Sequence, residues 1–149
     1  MVIIKQMEGR KMESKDKKEY ITIIDKQILN EDNIKMKYDE LKSIFDKYKD
    51  LNIQKYNENE IEKRVSNLMK ELFNAKLKCM NYQDIIDISK VNELTLEDIK
   101  KYSIFECLAL LTFIQRVDYF NGGYPSIYPE YVKNGVIPTI IERIIERIN

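Results

Sequence analysis

Six side chains toward the end of this chain have the types and spacing to do chemistry: Thr112, Arg116, Asp118, Tyr119, Tyr124 and Tyr128. Thr112 and Arg116 are four residues apart and share one side of a helix, with Asp118 and Tyr119 on the next turn. Together with Tyr124 and Tyr128 from the loop beyond, they could line a pocket for a polar or anionic ligand. The same residues also admit a plainer role. A buried Arg needs a carboxylate, carbonyls or an anion, because removing a buried partner costs roughly 3–5 kcal/mol. Asp118 or Glu106 could supply that partner internally, or Arg116 could tie down the Tyr-rich loop, and such internal ion pairs imitate active sites.

Nothing else in the chain completes a catalytic or metal-binding set. There is no His, which removes the usual general base near neutral pH and the commonest zinc ligand, and the two cysteines, Cys79 and Cys107, cannot form a structural zinc site alone. The expectation is therefore no catalytic residue, no metal and no cofactor. Lys plus Arg number 25 and Asp plus Glu number 25, so the formal charge of +0 provides no overall field to draw in nucleic acid or anionic membrane. Lys42, Lys47, Lys49 and Lys55 are interleaved with acids, as on a solvated face, which places nucleic acid last among partners. Two isolated cysteines, with no secretory signal and no apolar run of spanning length, point to a reducing, cytoplasmic protein without a membrane association.

The elements that must position these residues read as an all-α protein. At 149 residues and 44% hydrophobic composition the chain can bury the core of a single helical domain, 1–149. Residues 1–16 read as a flexible N-terminal extension, and the segment from Met7 to Met12 is compatible with a purine-rich ribosome-binding stretch ahead of a start at Met12. Tyr20, Ile23, Ile24 and Ile28 form a helical stripe, with a short strand over 20–24 as the competing reading. Ile34, Tyr38, Leu41, Phe45 and Tyr48 suit one amphipathic helix; Ile61, Val65, Leu68, Met69, Leu72, Phe73 and Leu77 suit another, capped by Asn57 or Asn59. A short helix is expected over 81–89 and a loop over 91–94. Thr95 with Asp98 and Ser103 with Glu106 form two capping boxes in succession, so the chain should break near Ser103. From Ser103 to Phe120 the sequence is apolar on nearly all sides and should form a buried central helix, stopped by Gly122 or Gly123. Pro129 should open a short helix ending at Gly135, and Pro138 the last one, whose Ile140, Ile141, Ile144, Ile145 and Ile148 face the core. The result is a compact bundle of about six helices around the central one.

The run Leu111-Thr112-Phe113-Ile114-Gln115-Arg116-Val117-Asp118-Tyr119-Phe120-Asn121-Gly122-Gly123, followed by Lys133-Asn134-Gly135 and a helix with Glu142-Arg143, resembles the C-terminal signature of an uncharacterised bacterial and phage family, domain-of-unknown-function family 6508. Thr112, Arg116, Asp118 (where Glu is usual), Phe120 and Gly123 match by position. Tyr119 replaces an Arg and Gly122 replaces an Asp. The resemblance covers the last third of the chain and the Asn81-Tyr82 helix, and implies a shared fold around the central helix but no activity; the two replacements weaken any catalytic role. The functional expectation is a small helical protein-interaction module, an accessory, regulatory or inhibitor protein of a bacterium or its phage or mobile element, with another protein, or a second copy of the chain, as partner. A ligand-binding or enzymatic domain using Arg116, Asp118 and the tyrosines is the first alternative, and nucleic-acid binding the second.

Overall fold

The computed structural model describes residues 29–51, 54–122 and 125–149. The expected N-terminal extension over 1–16, the strand over 20–24, the choice of start and Tyr124 lie outside them. Among the described residues there is no strand, and there are eight α-helices: α1 (Glu31–Lys35), α2 (Tyr38–Phe45), α3 (Glu58–Asn74), α4 (Tyr82–Ile85), α5 (Leu96–Ile99), α6 (Ile104–Phe120), α7 (Tyr128–Lys133) and α8 (Val136–Ile148). A 3-10 helix over Ile88–Glu93 joins α4 to α5.

Ser103 sets the start of α6. Its hydroxyl accepts the Glu106 amide at 3.1 Å while the Glu106 carboxylate accepts the Ser103 amide at 3.1 Å, so two amides that the helix cannot satisfy are paired reciprocally. Most residues of α6 are buried, as a helix without a polar face must be. It packs against α4 and α8, and α8 in turn contacts α2, α5 and α7, while α3 packs against α2 and α7. Ile137, Ile140, Ile141 and Ile144 of α8 are buried in the same core as Leu108, Leu111, Phe113 and Ile114 of α6. Each such side chain contributes about 1.5–3 kcal/mol by leaving water. Arg143 anchors α8 to the turn before α6 by donating to the Tyr102 carbonyl at 2.8 Å.

Several boundaries differ from the sequence pattern. The stripe from Ile34 to Tyr48 is two helices, α1 and α2, broken at Met36 and Lys37, where the Lys37 amide closes a turn on the Ile34 carbonyl at 2.9 Å and Met36 is left 87% exposed. Residues 91–93, expected in a loop, continue a 3-10 helix that Asp87 starts by accepting the Ser89 amide at 3.0 Å. The last helix begins at Val136 rather than Pro138, because Gly135 at φ 87 turns the chain directly into it. Pro138, whose missing N–H would be unpaired in the first turn anyway, is tolerated there.

The end of α3 turns the chain back toward the core. Lys76 has φ 59, a left-handed conformation that favours Gly, and around it the Leu77 amide donates to the Leu72 carbonyl at 2.8 Å and the Lys76 amide to Phe73 at 3.0 Å. This is the double hydrogen-bonded helix stop that usually uses Gly at the turning residue, carried out here by Lys at a conformational cost of about 1–2 kcal/mol. Leu77 plugs into the core, fully buried. At the other end of α3, Arg64 is held between the Tyr48 and Tyr56 rings, 5.3 and 4.8 Å from their centroids, and donates to the Lys47 carbonyl at 2.8 Å. Lys47 and Tyr48 both meet the Glu71 carboxylate, which closes the connection between α2 and α3.

Candidate functional site

Thr112 lies in the middle of α6, 2% exposed. Its hydroxyl donates to the Leu108 carbonyl at 2.8 Å and accepts the Cys79 amide at 3.0 Å. Both of its hydrogen-bonding roles are thus used inside the protein, and their effect is to fasten the segment after α3 onto the central helix. Asp118, 9% exposed, does the same for the other flank: Oδ1 accepts the Ser126 hydroxyl and the Ile127 amide, each at 2.9 Å. The Ser126 hydroxyl also accepts the Tyr128 amide at 3.2 Å, so Asp118 fixes the entry to α7. Glu106, the other acid considered for Arg116, is engaged in the cap of α6.

Arg116 lies half-buried beyond these anchors, with its guanidinium 4.7 Å from the Phe120 ring centre and 5.9 Å from that of Tyr119. Tyr119 is 66% exposed and stacks edge-on against Phe120. Tyr128 is buried. The six residues proposed from sequence therefore divide: Thr112 and Asp118 each hold a loop, Arg116 and Tyr119 share an exposed face, Tyr128 is part of a cavity wall, and Tyr124 is outside the described residues.

The cavity that Tyr128 lines is a groove of about 450 Å³ between α3 and α7, also lined by Gln115 of α6. Met69 and Phe73 supply its apolar side, Lys70 and Lys78 its positive charge, and Gln115 of α6 a neutral polar group; among the described residues no carboxylate lines it. Phe73 sits at the edge of the apolar stripe of α3 rather than inside it, and at 48% exposed it is one of the largest apolar side chains open to solvent. The Lys78 ammonium rests 5.3 Å from the centre of the Phe73 ring. Among the described residues it has no hydrogen-bond or carboxylate partner. Burial, and secondarily the Arg116 charge, lower its pKa from 10.5 to about 8. Tyr128 is shifted the other way: burial, then the Asp118 and Glu62 carboxylates, raise its phenol above the usual range, so it stays neutral.

The two anchors hold the two walls of this groove. Lys78 stands between the left-handed turn at Lys76 and the Cys79 amide bonded to Thr112, which fixes the backbone on both sides of it. Asp118 holds the start of α7, and with it Tyr128. Sequence spacing located the anchors and missed the groove. Lys78, Phe73, Met69 and Gln115 come from segments far apart in the chain, and a lysine next to a buried cysteine carries no pattern of its own. The cysteines do not add reactivity: burial pushes the thiols of Cys79 and Cys107 up to about 12. Among the described residues no group of three or more His, Cys, Asp or Glu could hold a metal, and no helix is long and apolar enough to cross a membrane. No protein-family model, curated protein or solved structure matches this chain.

Proposed function

We propose that the protein is a helical interaction module that binds an acidic segment of a partner protein in the groove between α3 and α7. The observation that carries this reading is Lys78: an ammonium held against an exposed Phe ring, with Lys70 and Arg116 nearby and no internal counter-ion of its own among the described residues. Burial disfavours a cation placed there, whereas a carboxylate from outside would be met by fixed charge and an apolar surface. An apolar side chain of the partner would lie on Met69 and Phe73 while its neighbouring Asp or Glu pairs with Lys78. The buried free thiols of Cys79 and Cys107 are in keeping with a cytoplasmic setting. We also propose that the chain shares its fold with family 6508, whose pattern includes Thr112 and Asp118, the two residues that fasten loops to α6 here.

Selection of a random peptide library against the full chain tests the reading. Enriched peptides should pair an apolar residue with Asp or Glu, and should lose about tenfold or more in affinity on Phe73→Ser or Lys78→Glu, as hot-spot truncations do. A remote surface change, Leu96→Ser, should leave binding intact. Peptides without acids, or binding indifferent to both groove variants, would overturn it.

A further inference from the structure

The groove also has the makings of a reaction site. Its walls are apolar or neutral at Met69, Phe73, Tyr128 and Gln115, its charged side chains among the described residues are Lys70 and Lys78, and the backbone of Lys78 is fixed on either side. We infer that Lys78 is a nucleophilic amine that captures small carbonyl compounds carrying a carboxylate, of the 2-oxo-acid and glyoxylate class, as imines. The requirements of that chemistry are an amine lone pair not tied up by a carboxylate, a nearby cation to hold the substrate's anionic end, and a surrounding that disfavours the ammonium. Lys78 meets the first among the described residues, Lys70, which lines the same groove, the second, and burial against the groove wall, with the Arg116 charge, the third. The lowered pKa of Lys78, about 8, makes a substantial fraction of free amine available near neutral pH, where an ordinary lysine has well under one per cent.

The reaction needs no other reagent. The free amine adds its lone pair to the carbonyl carbon, the nitrogen proton passes to the oxygen to give a carbinolamine, and loss of water leaves the carbon–nitrogen double bond. The charge that bears on this amine is that of Arg116 on α6; Lys70 of α3 and Tyr128 of α7 line the same groove, and Asp118 and Glu62 act on Tyr128. Asp118 is engaged by Ser126 and Ile127, and the Tyr128 phenol stays protonated, so the change in charge state near pH 8 is that of Lys78 itself.

Trapping tests this without a partner protein, so its failure would leave the docking reading standing. The full chain is treated with glyoxylate and cyanoborohydride, which supplies the hydride that reduces the imine, and the modified lysine is located by peptide mass mapping. Lys78 should gain a carboxymethyl group about tenfold faster than any other lysine, as the difference in free amine allows. The rate should rise through a midpoint near pH 8, and acetaldehyde, which lacks the carboxylate, should label Lys78 more slowly. Lys78→Arg should abolish the preferred adduct while leaving the slow labelling elsewhere. Modification that simply follows solvent exposure, or labelling of Lys78 no faster than of other lysines in the folded wild-type chain, would overturn the inference.

Discussion

Two polar clusters meet α6 within a few turns of each other and behave oppositely. At Thr112 and Asp118 the hydrogen bonds run to backbone groups or to a hydroxyl that itself holds a loop, so the polarity is consumed by the fold. At Lys78 and Phe73 the groups face an open groove, and the cation is desolvated with no carboxylate or hydrogen bond among the described residues to offset it. The first cluster stabilises the protein. The second costs stability, and a cost kept where a groove opens is a better pointer to function than a satisfied network is.

Substitutions should separate the two regions by sign as well as size. The largest loss is expected from Asp118→Ala, which leaves the buried Ile127 amide without its acceptor and frees Ser126; about 3 kcal/mol is the scale for hydrogen bonds to a charged group. Thermal unfolding should show a fall in Tm of about 2–4 °C for each kcal/mol at this chain length. Thr112→Val should cost about 2 kcal/mol, the penalty for orphaning the buried Cys79 amide. Lys76→Gly should act in the opposite direction, gaining about 1 kcal/mol in the same unfolding assay by relieving the left-handed residue. Lys78→Met should also act in the stabilising direction, and in a pH-dependent way. Because the folded pKa of Lys78 is lowered from 10.5 to about 8, the unfolded chain binds the extra proton between those values, so wild-type stability from this group is poorest below pH 8 and recovers as pH rises to 10.5. The variant should therefore be at least as stable as wild type below pH 8, with its advantage fading at higher pH. If Lys78→Met proves as damaging as Thr112→Val, the contrast between the regions fails.

Much of the frame could be read from the residues. The boxes at Thr95 and Ser103 are spelled out by residue type and spacing, and both close as written. The burial of α6 follows from its lack of a polar face. What could not be read was created by the tertiary structure. The break between α1 and α2 has no Gly or Pro to announce it. The stop of α3 uses Lys where Gly is the legible signal, and it is that turn which aims Lys78 into the groove. Thr112 and Asp118 were found by their polarity on an apolar helix, but only the fold shows that each holds a wall of a cavity from behind.

The bond between Thr112 and the Cys79 amide makes Cys79 a gauge of the groove's own motion. Its thiol is sealed in the core and barely ionised, so a thiol reagent can reach it only when the segment carrying Lys78 lifts off the central helix. Cys107 sits inside that helix and answers only to opening of the helix packing. The ratio of the two labelling rates in the native protein thus reads, with no engineered probe, how often this groove wall detaches while the rest of the domain stays closed.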